Sequence, residues 1–287
     1  MGVLTEAKQS QNVRRKFDDL ADEWSGFYNA PSMRECRTFN QYDIYVRREN
    51  ALEMLGFQSN GPIIDLGAGT GSFLLAYQEC FGVQDRYFAN MDFAKAMLQR
   101  QARESYQVLP GRTQGDLRAI PFRDGSADAA VCLGVLEYIP MSEEALCEVC
   151  RVLTSGGILV LSIPNSHSIF RRIDNRRWRP LRWLFARLAP FLWLKNKFRK
   201  RDVSSQKGTV GPQYDHYEFN VDQFSDLLHE CGFVVEEVRY NRFFFTVLNA
   251  QALSIFFDRI FSALTRLFPG VERHGMTVVI RAKKREF

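Results

Sequence analysis

Residues Ile63-Ile64-Asp65-Leu66-Gly67-Ala68-Gly69-Thr70-Gly71 place three glycines at alternate positions directly behind a short apolar run. A glycine turn after a strand lets a ligand come close to the backbone, because no Cβ stands in the way. The helix that follows presents unpaired N–H groups and a positive dipole end. Gly67, Gly69 and Gly71 fit that task. A dinucleotide fingerprint spaces its glycines G-x-G-x-x-G; here the third glycine comes one residue early. Asp65 also stands two residues before the first glycine. A carboxylate there would repel a pyrophosphate, and it suits a ligand carrying an ammonium and a sulfonium.

The run Asp65 to Gly71 resembles motif I of the class I S-adenosylmethionine-dependent methyltransferases, and three further stretches match that family in order. Asn90-Met91-Asp92-Phe93, with Met97 behind it, resembles the end of the family's second strand. Gln114-Gly115-Asp116-Leu117, leading to Pro121-Phe122, is similar to the stretch after the third. Leu133-Gly134 and the following Val135-Leu136-Glu137-Tyr138 look like the edge of strand four. The resemblance implies S-adenosyl-L-methionine as cofactor. It implies that the loop from Asp65 through Gly67, Ala68, Gly69 and Gly71 wraps the methionyl part. Asp92 would take the ribose hydroxyls, as a bidentate acceptor suited to a vicinal diol. Phe93 would pack on the adenine and Asp116 would meet its amino group, with Met97, Leu117, Leu133 and Gly134 completing the pocket. The match is good from about Arg47 to Asn165 and looser over Val221 to Tyr240 and the last strand.

Methyl transfer from a sulfonium is an in-line displacement, so the enzyme aligns the nucleophile, often removes its proton, and excludes water. His216 is a catalytic candidate, since many small-molecule and lipid-linked-substrate members of the family carry a histidine just before the helix that returns to the sheet. His167 is another, directly behind strand five. Each can equally be a structural hydrogen-bonding histidine. Tyr214, Tyr217 and Glu137 are weaker candidates. The stretch Val13 to Tyr28 resembles the helix that covers the cofactor in quinone-type relatives, so Trp24 and Tyr28 could line a lid. Cys147 and Cys150 have CxxC spacing but no second ligand pair, so no metal site is expected.

Between Ile169 and Arg201 stand twelve Lys or Arg and one acid, so this segment carries +11 and the remainder of the +5 chain −6. Three of the four tryptophans lie here, Trp178 among them. Basic residues interleaved with aromatics suit an anionic membrane interface. They also suit a soluble cap over the pocket, or RNA bound by phosphate contacts and stacking. The first reading of function is therefore methylation, at oxygen, of a hydrophobic or lipid-linked small molecule. A nucleic-acid methyltransferase is the second, weakened by the absence of an Asn-Pro-Pro-Tyr-like or paired-cysteine catalytic motif. A non-catalytic, membrane-peripheral cofactor-binding protein is the third, opposed by the intact Asp65, Asp92 and Asp116.

Elements must hold these residues in place. The chain has 287 residues, 46% hydrophobic and 25% charged, enough for one well-formed core. No apolar leader follows Met1 and no apolar run reaches membrane-spanning length, so the expected location is cytoplasmic or peripheral on a membrane. Helices are expected over Asn12–Asn29 and Tyr42–Leu55, the second stopped by Gly56. Strands are expected at Pro62–Leu66, Arg86–Met91, Arg112–Gly115, Asp128–Leu133, Ile158–Ile163, Phe233–Tyr240 and Met276–Ala282. Helices are expected at Gly71–Phe81, Ala94–Ser105, Ser142–Leu153, Val221–Cys231 and Ala252–Phe268, the last with Phe256, Phe257, Ile260, Phe261, Leu264 and Leu267 on one face. This alternation predicts an α/β fold: a seven-stranded, mostly parallel Rossmann-like sheet with helices on both faces. The expected division is a helical lid over 1–60, a methyltransferase domain over 61–165 and 219–287, and a basic aromatic insertion over 166–218.

Overall fold

A computed structural model describes residues 6–22, 32–56, 61–83, 86–101, 105–139, 142–174, 216–244, 251–265, 267–268 and 270–286. Seven strands form one sheet: β1 (Ile63–Leu66), β2 (Phe88–Asp92), β3 (Gly111–Gln114), β4 (Ala127–Leu133), β5 (Leu153–Pro164), β6 (Phe233–Asn241) and β7 (Thr277–Lys284). Their spatial order is β3-β2-β1-β4-β5-β7-β6. β7 runs antiparallel to both its neighbours and the other pairings are parallel. Among the described residues the α-helices, in chain order, are α1 (Glu6–Asp19), α2 (Phe39–Leu55), α3 (Ser72–Phe81), α4 (Lys95–Gln99), α5 (Ser142–Val152), α6 (Ile169–Asp174), α7 (Val221–Glu230) and α8 (Gln251–Thr265).

Period-two alternation sorts each strand's side chains onto two cores. Ile63, Val131, Val160 and Val279 pack with Leu52 and Leu55 of α2 and with Phe73 and Tyr77 of α3. Their neighbours Ile64, Cys132, Leu161 and Ile280 pack with Leu146 and Val149 of α5 and with Phe224 and Leu228 of α7. Each fully buried large aliphatic side chain contributes about 1.5–3 kcal/mol. Because both faces are covered, β1 reads as a continuous apolar run rather than an alternating one.

The strand order reverses between β1 and β4, which pair through Ile63↔Ala129 and Asp65↔Val131. A crevice opens at such a switch point, beyond the carboxyl ends of the strands. The glycine loop after β1 and Gly134 after β4 meet there.

Several boundaries differ from the expected ones for local reasons. α1 begins at Glu6, ahead of Asn12, and ends at Asp19. α2 starts at Phe39 because Thr38 and Gln41 form a reciprocal capping box: the Gln41 amide donates to Thr38 Oγ1 at 3.1 Å and the Thr38 amide to Gln41 Oε1 at 3.2 Å. α4 ends at Gln99. Ser155-Gly156-Gly157, expected as a turn into β5, is a bulge within it. Gly156 has φ +72°, and the pairing with β4 jumps from Ala127↔Leu153 to Ala129↔Ile158. The two helices of segment 1–60 have different surroundings. α2 covers the sheet, whereas α1 packs on α4 through Phe17, beside Ala94 and Met97. Trp24, Tyr28, Trp178, Tyr214 and the basic stretch from 175 onward lie outside the described residues.

Candidate active site

The first strand ends at Leu66 and the chain folds back over β2, the Gly67 and Ala68 amides donating to the Met91 carbonyl at 2.8 and 2.9 Å. Gly67 sits at φ +77°, where a Cβ would lie 2.2 Å from Val135 Cγ2; at Gly71, φ +82°, a Cβ would lie 1.9 Å from the Tyr106 hydroxyl. Strain of this kind costs about 1–3 kcal/mol. We therefore expect Gly67→Ala to weaken binding of the cofactor's demethylated product about 10- to 100-fold, read by calorimetry. Unchanged affinity would show that the turn tolerates a side chain.

Two acids converge under this loop. The Asp92 carboxylate joins loop to strand: Oδ2 accepts from the Gly69 amide and Oδ1 from the Ala94 amide, both at 2.8 Å. Burial pushes its pKa up to about 6, against the lowering effect of those two N–H groups. Asp65 is 3% exposed and Oδ2 has no hydrogen-bond partner. Burial and then the nearby Asp92 charge raise it to about 8. An unpaired carboxylate oxygen, deep in a cavity wall and beside a second acid, fits a cationic ligand group and repels phosphate. That is the donor set an ammonium- and sulfonium-bearing cofactor needs.

Asp116 is engaged differently. Arg118 clasps it through Nε to Oδ1 at 3.1 Å and Nη2 to Oδ2 at 2.7 Å, and reaches Ser10 Oγ of α1 at 3.0 Å. Burial alone would raise Asp116, but the Arg118 hydrogen bonds outweigh it and the carboxyl is held below its usual range. Asp116 thereby helps to fasten α1 over the crevice. Asp18 of α1 does the same at another point, accepting from the Ala96 amide at 3.0 Å in the first turn of α4.

One cavity of about 930 Å³ runs from the glycine loop to a second, charged half, at the upper end of the range for small-molecule sites. Its wall includes Asp65, Gly67, Ala68, Gly69, Asp92, Phe93, Met97, Asp116, Leu117, Leu133 and Gly134. Gly71 lies just behind the wall, its carbonyl accepting from the Tyr106 hydroxyl at 2.6 Å. His216 lines the second half at its mouth, edge-on to Tyr138 at 5.4 Å, and Tyr138 in turn meets Phe17 of α1 at 5.2 Å. Desolvation, with the Arg171 charge next, lowers the His216 pKa. His167 is exposed and is not among the cavity-lining residues; its amide donates to Asn165 Oδ1. Tyr217 also stays out of the wall, its amide donating to the Glu137 carbonyl at 2.8 Å.

Of the charged cluster in the second half, the sequence pointed to Glu137 alone; Asp43, Arg47 and Arg242 were missed. Asp43 and Arg47 of α2 pair at 3.4 Å, and Arg242 approaches the same Asp43 oxygen at 3.6 Å. Glu137 is 7% exposed with Oε2 unpartnered, and it flanks Gly134 together with Arg47 Nη1. Burial raises its pKa and the Arg47 charge opposes that. Arg242 has φ +62°, the one positive φ of a non-glycine among the described residues. Strained backbone of this kind concentrates at functional sites. Asp43 and Arg47 gave an i, i+4 signal, but such pairs are common on solvated helix faces.

The family model described as "Methyltransferase domain" matches residues 64–161. The chain is 32% identical over 234 residues to a demethylmenaquinone methyltransferase of Tropheryma whipplei, covering 80% of this chain and 87% of that protein. It is 24% identical over 245 residues to a demethylmenaquinone methyltransferase of Lactiplantibacillus plantarum, covering 84% and 94%. The fold is similar to that of magnesium protoporphyrin IX methyltransferase from Synechocystis, solved with S-adenosylhomocysteine bound: TM-score 0.54 at 15% identity, covering 95% of this chain and 98% of that one.

Proposed function

Because the chain belongs to the class I S-adenosylmethionine-dependent methyltransferases, we propose that its acceptor is a hydrophobic, phenol- or quinol-like molecule, lipid-linked in its natural form and methylated at oxygen. The observation that carries this reading is the second half of the cavity, where Phe17, Ile44, Tyr138 and Ile139 stand with Asp43, Arg47, Glu137 and Arg242. Aromatic and aliphatic walls with a few placed charges suit a flat apolar ring bearing an ionisable oxygen.

The cofactor is an electrophilic methyl group on a sulfonium. Asp65 would offset the positive end of that molecule and Asp92 would accept hydrogen bonds from its ribose hydroxyls, while Phe93, Asp116 and Leu117 would hold the adenine. α1, tied down by Arg118 and Asp18, acts as the lid that excludes water. His216, kept neutral by its surroundings, accepts the acceptor's hydroxyl proton at the cavity mouth. Glu137 is the alternative proton acceptor, favoured by its burial and its raised basicity.

The names of the curated relatives support a quinone-type ring and favour a second outcome. A phenolate is an ambident nucleophile: attack on the methyl group through the adjacent ring carbon, followed by loss of that carbon's hydrogen as a proton, gives a C-methyl product instead. Protein incubated with methyl-labelled cofactor and a reduced, short-chain demethylnaphthoquinone should give a labelled product extractable into organic solvent. The product's proton spectrum separates O-methyl from C-methyl. Label appearing in RNA, and none in the organic phase, would overturn the reading.

A further inference from the structure

α8 (Gln251–Thr265) buries polar side chains and exposes large apolar ones. Ser254, Asp258 and Thr265, at 0, 2 and 6% exposure, point into the protein, whereas Phe256, Ile260 and Leu264, at 57, 39 and 41%, point out. Spacings of four and seven residues put the first set on one side of the helix, and spacings of four put the second set on the other. A surface helix in water shows the reverse arrangement. Leu267, Phe268 and Val271 carry the exposed apolar face beyond the helix end. The inner side is fixed by specific bonds: Asp258 Oδ1 accepts from the Phe243 amide at 2.6 Å, and Gln251 Oε1 from the Phe39 amide at 2.9 Å. Phe257 and Phe261 pack on Phe244, with ring centroids 5.2 and 5.8 Å away. Register is thereby set with the side bearing Phe256, Ile260 and Leu264 outward.

We infer that this face of α8 lies in the surface of an anionic lipid membrane and brings the acceptor end of the cavity to the bilayer. The helix is 15 residues long, and no helix among the described residues is long and apolar enough to cross a membrane, so an in-plane seat is the geometry that fits. Arg259 is exposed beside Ile260, and Arg273 beyond the helix end, where cations meet anionic headgroups. The helix also stands next to the site. Phe39 and Tyr42 of α2 pack beneath it, and the residues following each, Asn40 and Asp43, line the cavity. This placement deepens the proposal of a lipid-linked acceptor and rests on it, but the binding itself can be measured without any acceptor.

The test is flotation of the full chain with vesicles of phosphatidylcholine alone or with about one-third phosphatidylglycerol. The expected result is binding to the anionic vesicles, weakened about 30-fold or more in a Phe256→Ser/Ile260→Ser/Leu264→Ser variant. That variant should keep the wild-type circular dichroism and cofactor-product affinity, because the three positions are outside the core. A control, Phe257→Leu, leaves the outer face intact and should bind like wild type. No binding to either vesicle, equal binding by the triple variant, or a wild-type dimer that the triple variant converts to monomer would each overturn the inference. Failure of methylation with vesicle binding intact would sink the acceptor assignment instead.

Discussion

Replacing Asp65 with asparagine should stabilise the cofactor-free protein above neutral pH and at the same time abolish tight cofactor binding. Asp65 is buried, its Oδ2 is unpartnered, and its pKa stands at about 8 against an unfolded value of about 3.9. Between those values the folded state binds more protons than the unfolded state, so stability falls as pH rises, by up to ~1.4 kcal/mol per unit. The stability tied to this group is fully present below about pH 4 and lost as pH passes 8. Asparagine removes that loss. We expect little change in stability at pH 5 and a gain of about 2–4 kcal/mol at pH 8.5, seen as a higher melting temperature. Binding of a cationic ligand needs the ionised carboxylate. Wild-type affinity should therefore climb towards tenfold per pH unit below about 8 and level off above it, while the variant binds at least about 100-fold more weakly. Thermal melts with and without cofactor at the two pH values check both halves. A variant that is destabilised at pH 8.5, or that binds normally, would show that Asp65 serves the loop and not the ligand.

The sheet and the cofactor end of the crevice were legible in the sequence because local patterns determine them. Continuous apolar runs mark buried parallel strands, and Gly67, Gly69 and Gly71 mark a turn that other residues cannot make. Asp92 was legible as an acid at a strand end, and its bond to the Ala94 amide two residues on is local, but its hold on the Gly69 amide depends on the β1–β2 register, which no local signal carries. The acceptor end was scarcely legible. It is assembled from α2, the segment after β4, and Arg242 just past β6, far apart in sequence and joined only by the fold. α8 shows the same limit. Its apolar residues read as a single face, with Phe256 grouped beside Phe257 and Phe261. The structure separates them, because Asp258 claims the inner side by bonding the Phe243 amide. Hydrophobic periodicity gives the width of an apolar stripe and not what the stripe faces.

That assembled acceptor end makes Arg47 the position where one substitution should cost most. Its side chain is 16% exposed, pairs with Asp43, and opposes the buried charge of Glu137. Arg47→Met would leave Asp43 with Arg242 and the buried Glu137 with only the lesser Arg171 charge, and an uncompensated buried charge costs about 3–5 kcal/mol. The sign of the pH dependence follows. Losing the cation raises the folded-state carboxyl pKa further, so the variant binds more protons folded than unfolded and its deficit grows as pH rises. Towards pH 5 the Glu137 carboxyl takes up a proton and most of the loss should vanish. A second change, Glu137→Gln, removes one of the stranded charges and should restore about half of the stability at pH 8. It should not restore methyl transfer if, as proposed, the Asp43–Arg47 pair positions the acceptor oxygen. Urea unfolding of the single and double variants at pH 5 and pH 8, beside turnover on the naphthoquinol acceptor, separates the two roles. A double variant no more stable than Arg47→Met would mean that Glu137 does not depend on Arg47. A double variant that regained turnover would mean the cluster is scaffold and the proton leaves through His216 alone.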